Sequence, residues 1–360
     1  MARDGKRFGP FFVFRHDKWQ NETMLKIDVH THILPRDLPR WKDQFGYGGF
    51  VGLDHYAPCC ARMVRDDGTQ FRDVEENCWS AEKRVAECDS LGVDVQVLAT
   101  VPVMFSYWTK PSDGAEIAAF LNDHIAEIVT DLPNRFVGLG TVPLQDTSLA
   151  IKELERSKQI GLSGVQIGSN VNQLNLGESR FFEFFEACEQ LGMAVFVHPW
   201  EMMGERDMQK YWLPWLVGMP AEVSRAICSL IFSGTLERLP NLRICFAHGG
   251  GAFPSTLGRI EHGFQVRPDL CAADNPNSPR SYLDRMYFDS LAHDRSVLEF
   301  LIDLAGPDRI MLGTDYPFPL GEAEPGSLIE SMGLNEAVKT RLFEETALEW
   351  LDVERSRFTS

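Results

Sequence analysis

Eight short apolar runs recur along this chain, and most neighbouring runs are separated by an amphipathic stretch of helical period. The runs lie at 25–32, 93–100, 136–144, 164–169, 194–200, 243–250, 286–290 and 310–317. Helical periodicity marks 78–91, 115–131, 148–159, 179–191, 221–238 and 294–305. Strands alternating with helices imply a parallel sheet with helices packed on it. Eight such units suit a closed (β/α)8 barrel. An open doubly wound sheet is the alternative, but it offers no reason for several runs to end in polar residues of related chemistry. A barrel does, because it gathers the C-terminal strand ends at one mouth.

Those strand ends carry the chemistry. The first run ends in His30-Thr31-His32, the fifth in His198, the sixth in His248 and the eighth leads to Asp315. Residues two apart on a strand face the same side, so His30 and His32 can address one ion. With His198 and Asp315 they make three imidazoles and a carboxylate, a donor set that suits zinc with one position left for water. His248 would crowd that set. It is read instead as the general acid/base acting on metal-bound water, with a pKa near working pH. The Gly249-Gly250-Gly251 run behind it permits close backbone approach.

The segment 40–76 breaks the rhythm with five glycines and the Asp67-Gly68 turn signal, and reads as a small β insertion after strand 1. Trp200 to Pro220 reads as a long loop after the fifth strand. The expected organisation is an N-terminal extension at 1–23, one barrel domain at 24–352 and a short tail at 353–360. A formal charge of −17 argues against nucleic acid or anionic lipid as partners. No apolar run approaches the roughly 20 residues of a membrane span. The eight cysteines show no CxxC spacing, and no secretory signal is evident. The expectation is therefore a cytoplasmic protein with reduced thiols.

The motifs also have a family look. Asp28-Val29-His30-Thr31-His32, His198-Pro199, His248-Gly249-Gly250-Gly251 and Gly313-Thr314-Asp315-Tyr316-Pro317 resemble the amidohydrolase superfamily, and within it the decarboxylase branch. Longer stretches carry the likeness further: Phe45 to Gly49, Thr100 to Trp108, Tyr211 to Pro220, Phe264 to Asn275 and Leu312 to Gly321. The likeness runs from about Met24 to about Leu351.

The resemblance implies a distorted (β/α)8 TIM barrel and one zinc per subunit on His30, His32, His198 and Asp315, with His248 as the acid/base. It implies a homodimer in which Arg259 reaches the neighbouring subunit's site. Arg72 would bind substrate, Trp215 would wall the pocket, and Arg65 is the match for a second basic contact. Many binuclear relatives carry a lysine on the fourth strand. Gly164 to Ser169 has none, so one metal is expected. The implied reaction is loss of CO2 from a small conjugated dicarboxylate bearing an amino group and an aldehyde. Arginine forks suit its carboxylates. Addition of water before CO2 leaves and direct protonation both remain open. So do two other activities, decarboxylation of an aromatic acid and metal-dependent lactone hydrolysis.

Overall fold

The computed structural model describes residues 24–359. The extension expected at 1–23 lies outside the described residues. Eight parallel strands form one sheet in sequence order: β1 (Ile27–Ile33), β2 (Val95–Thr100), β3 (Phe136–Gly140), β4 (Gly164–Gly168), β5 (Ala194–His198), β6 (Ile244–Phe246), β7 (Tyr287–Asp289) and β8 (Ile310–Met311). Backbone bonds close the ring between first and last: Val29 N donates to Leu312 O at 2.9 Å, and His32 N to Tyr316 O at 2.8 Å. The parallel barrel is therefore the architecture, and each run supplied its strand. The last three strands are shorter than their apolar runs, because the chain turns out of the sheet to form the mouth.

Alternation along the strands builds two concentric cores. On β5, Ala194 and Phe196 point into the barrel, while Val195 and Val197 pack outward against helices. Parity then turns His198 inward. β1 needs a further device. Ile27 and Val29 belong to the interior cluster, so strict alternation would turn His30 and His32 outward. A shift in the β1–β2 register between Asp28 and Thr31 inserts one extra residue and reverses the phase. Both histidines then face the interior, and Ile33 packs outside with Leu98.

The insertion after β1 contains a short helix, Trp41–Phe45, and three antiparallel strands at Val51–Ala57, Cys60–Arg65 and Gln70–Glu75. Its apolar face, with Phe50, Met63 and Val74, packs on Val101, Val103 and Met104 just beyond β2. This places the insertion over one side of the mouth. After β5, an irregular loop runs to Leu213 and gives way to continuous helix from Pro214 to Phe232. That helix corrects one sequence expectation: it is 19 residues long and an 18-residue window within it has mean hydropathy 1.3, enough by length and composition to cross a membrane. Here one face is buried on the barrel, while Leu216 and Val217 are exposed. Val223, Ala226, Ile227, Leu230 and Ile231 face the barrel, and the helix carries the fully buried Glu222.

All eight cysteines are free thiols. Residues 353–359 dock on the fold, with the Arg355 guanidinium on Glu344 and Arg357 Nε donating to Pro133 O at 2.8 Å. The barrel floor is closed by Trp350, which is fully buried and hydrogen-bonds Arg243 O at 3.2 Å. Its ring meets Phe196 edge-on, and Phe196 in turn meets His30 at 4.9 Å between centroids. Trp350→Ala should cost about 3–5 kcal/mol in denaturant unfolding. A loss below about 1 kcal/mol would mean that the floor repacks without it.

Candidate metal centre and active site

Four side chains meet at the C-terminal mouth. His30 and His32 come from β1, His198 from the end of β5, and Asp315 from the loop after β8. One donor atom of each lies within 4.8 Å of the others. The three imidazole centroids are 5.0–5.2 Å apart. Asp315 Oδ1 approaches His32 Nε2 at 3.0 Å and His30 Nε2 at 3.5 Å.

The outer and inner nitrogens of these rings differ sharply. Each Nδ1 has a partner: Asp289 Oδ2 at 2.7 Å for His30, Thr100 O at 3.1 Å for His32, and Pro199 O at 2.9 Å for His198. Each Nε2, together with Asp315 Oδ1, is buried without a hydrogen-bond partner. Orphaned buried polar atoms are costly and rare. Four of them converging on one point fit a bound cation, with the outer contacts orienting each ring. Burial drives the His198 imidazole well below its usual pKa and lowers that of His32, so both present lone pairs. Burial opposes charge on Asp315 too, but the adjoining histidines outweigh it and hold the carboxyl well below the usual range. The residues present therefore suit one divalent ion.

Several buried contacts hold these donors in place. Asp28 accepts from Thr314 N at 3.1 Å and Thr314 Oγ1 at 2.5 Å, tying β1 to the loop that carries Asp315. Gly313 sits where a Cβ would lie 2.7 Å from Asp289 Cβ and 2.9 Å from His30 Cβ, so only glycine lets the strands approach. Arg84, fully buried, donates to His32 O at 2.7 Å and to Gln96 Oε1 at 3.1 Å.

His248 stands beside the donor cluster rather than in it. Its Nε2 is 4.0 Å from Asp315 Oδ2, and its ring centroid is 5.2 Å from that of His30. The residue is left-handed, φ 56°, and its backbone N donates to Asp289 Oδ2 at 2.9 Å. Gly249 N donates to Asp289 Oδ1 at 2.8 Å. Burial, then the charge of His30, lowers the His248 imidazole to about 4. This lies below the expected near-neutral value, and the ring is neutral at pH 7.

Two cavities meet at this centre. The first, about 250 Å³, is lined by His32, His198, Asp315, Arg65 and Arg72, with aromatic walls including Trp215. The second, about 390 Å³, reaches His248, Asp315 and the start of the helix Phe253–Val266. Trp215, Met219 and Leu320 border both. The Arg72 guanidinium lies 4.3 Å from the Phe318 ring centre, partly desolvated. The structure thus brings Arg72, Arg65 and Trp215 to the donor cluster. Arg259 is not brought in: it is exposed on the helix Phe253–Val266, one turn beyond Ser255, and lines neither cavity.

Sequence reasoning passed over Asp289, Arg84, Asn170 and Glu222. Asp289 did leave a signal, as an acidic residue closing a strand-like run. It joins a donor ring to the His248 backbone, so it acts on both. Asp289→Asn should lower metal affinity about 10–100-fold, measured by competition with a chromogenic chelator. Wild-type affinity in that variant would show that His30 holds its orientation without the carboxylate.

Comparison with known proteins agrees with this geometry. A family model described as amidohydrolase matches residues 27–353. The chain is 55% identical over 336 residues to a 2-amino-3-carboxymuconate-6-semialdehyde decarboxylase of Dictyostelium discoideum, covering 93% of each chain. It is 41% identical to the Caenorhabditis elegans protein of the same name, covering 85% of this chain and 88% of that one. Among solved structures, the 5-carboxyvanillate decarboxylase of Sphingomonas paucimobilis superposes with a TM-score of 0.78 at 24% identity, over 92% of this chain and 100% of the other. The barrel, its donor set and these matches together place the protein: it belongs to the amidohydrolase family.

Proposed function

We propose that this protein is a zinc-dependent, non-oxidative decarboxylase. It converts 2-amino-3-carboxymuconate 6-semialdehyde to 2-aminomuconate 6-semialdehyde and CO2. The observation that carries the reading is the pocket beside the donor cluster, where Arg72 and Arg65 line a cavity with aromatic walls, an arrangement suited to a carboxylate-bearing substrate. The 55% identical relative of that name supports the choice of substrate.

His30, His32, His198 and Asp315 would hold the ion. When bound, a divalent ion supplies Lewis acidity and brings the pKa of a bound water to about 7. The chain's own groups do the rest. Arg72 pairs with a substrate carboxylate through its planar fork, and desolvation by Phe318 strengthens that pairing. Trp215 and Phe71 flank the flat conjugated chain. The bond from C3 to its carboxylate breaks, the electron pair stays on C3, and a proton takes the place of CO2. His248, neutral and next to Asp315, takes up a solvent proton at Nε2 and passes it to C3. No net oxidation occurs.

The functional unit in this reading is a homodimer. Exposed Leu216, Val297 and Phe300 rim the second cavity and offer apolar surface that a partner would cover. Arg259 projects from the same side without a partner carboxylate among the described residues. Across a two-fold axis it would complete the neighbouring site by binding the second carboxylate.

The substrate can be generated with 3-hydroxyanthranilate dioxygenase and followed by its absorbance. Accelerated loss with stoichiometric CO2 is expected, abolished by a chelator and restored by zinc. His248→Ala should keep its metal and lose turnover. Hydrolysis without CO2 would overturn the reading, and restoration by manganese but not zinc would change the ion. Refolding an equimolar mixture of His248→Ala and Arg259→Ala chains should recover about a quarter of wild-type activity, since half the dimers are mixed and each has one whole site. No recovery would place Arg259 outside the partner's site.

A further inference from the structure

The first cavity is polarised. Its cations, Arg65 and Arg72, come from the β insertion, whereas Glu201 and Glu205 come from the loop after β5. Glu205 lies in an exposed turn, but Glu201 is half-buried. Its backbone is left-handed, φ 47°, an uncommon conformation for a residue with a side chain.

A buried network holds the loop in that shape. Asn170 Nδ2 donates to Trp200 O at 2.7 Å and to Glu222 Oε1 at 3.0 Å. Glu222 Oε2 accepts from Met203 N at 3.0 Å, and Trp200 N donates to Ser169 Oγ at 3.1 Å. Both sides of Glu201 are thus anchored by Glu222 and Asn170, neither of which reaches the cavity. Yet no hydrogen bond or ion pair among the described residues reaches the Glu201 carboxylate, whose pKa is raised first by burial and then by the charges of Glu205 and Glu222. A loop solvated for its own sake would turn this side chain out to water. Instead the fold keeps an unpaired carboxylate on the wall of the cavity that also holds Arg65 and Arg72.

A carboxylate only accepts hydrogen bonds. It therefore suits a ligand with a carboxylate toward Arg65 and Arg72 and an N–H group toward the loop. We propose that Glu201 is a specificity-determining residue that accepts a hydrogen bond from the substrate's 2-amino group, selecting amino-substituted dicarboxylates over plain ones. This rests on the decarboxylase reading above. It gives the loop after β5 a positive role, and it gives Asn170 and Glu222 the role of positioning residues.

The test uses three ligands of the holoenzyme: the substrate, pyridine-2,3-dicarboxylate and benzene-1,2-dicarboxylate. The pyridine compound repeats the substrate's N–C–C order with both carboxylates, but at pH 7.5 it presents a lone pair where the substrate presents N–H. Removing the negative charge of Glu201 would by itself tighten every dianion, so a purely electrostatic role lowers KM. The proposal requires the opposite: Glu201→Leu should raise the substrate KM about tenfold, with kcat changed less than about threefold. Glu201→Gln, which gains an N–H donor, should raise the preference for pyridine- over benzene-dicarboxylate about fivefold by calorimetry, and Glu201→Leu should leave that ratio unchanged. Unaltered metal content and melting temperature would show that the variants are folded. A KM that falls or stays constant, or an unmoved inhibitor ratio in Glu201→Gln, overturns the assignment. If the wild type releases no CO2, the decarboxylase reading fails, and the inhibitor ratio alone decides for or against Glu201.

Discussion

The seam between the first and last strands is the constraint on which this site depends. It joins residues nearly a whole chain apart: Asp28 grips the backbone and hydroxyl of Thr314, and Asp315 N donates to His30 O at 2.8 Å. These bonds close the barrel and place the Asp315 carboxylate against two imidazoles from β1. Without closure, the β1 histidines and Asp315 would share no common point. The glycine at 313 belongs to the same constraint, since a side chain there would force His30 and Asp289 apart.

Around that seam the protein buries ionisable side chains. Asp28, Asp289, Arg84 and Glu222 are fully inaccessible, and each makes hydrogen bonds with backbone or side chain. Buried ion pairs contribute little net stability once desolvation is subtracted. Their value here is orientation. Asp289 fixes which nitrogen of His30 faces the centre and also holds His248 in its left-handed turn. A donor ring and the acid/base are thereby set by one carboxylate.

Much of this was legible beforehand, for physical reasons. Alternating strand and helix signals imply a parallel barrel, and a barrel's strand ends converge, so His30, His32, His198 and Asp315 could be grouped from spacing alone. Arg72 and Trp215 were placed by resemblance and lie on the cavity wall. The less legible features are those that depend on contacts distant in sequence. The register shift on β1 has no composition signature, yet it decides that the histidines face inward. The low pKa of His248 follows from burial, which no motif encodes. The apolar length of Pro214–Phe232 was missed because Glu222 and Arg225 interrupt the run, and only the fold shows Glu222 buried on Asn170.

The sequence by itself determined the barrel, the metal donor set and the family, since strand periodicity and residue type at strand ends are local properties. Tertiary structure decided which nitrogen of each donor ring is free, how two cavities share one centre, and which wall of the pocket is cationic and which anionic. It also showed Glu201 as an unpaired carboxylate on that wall and Arg259 as a side chain outside its own chain's site. Those outcomes depend on burial and on partners remote in sequence, and both come into being only when the ring closes.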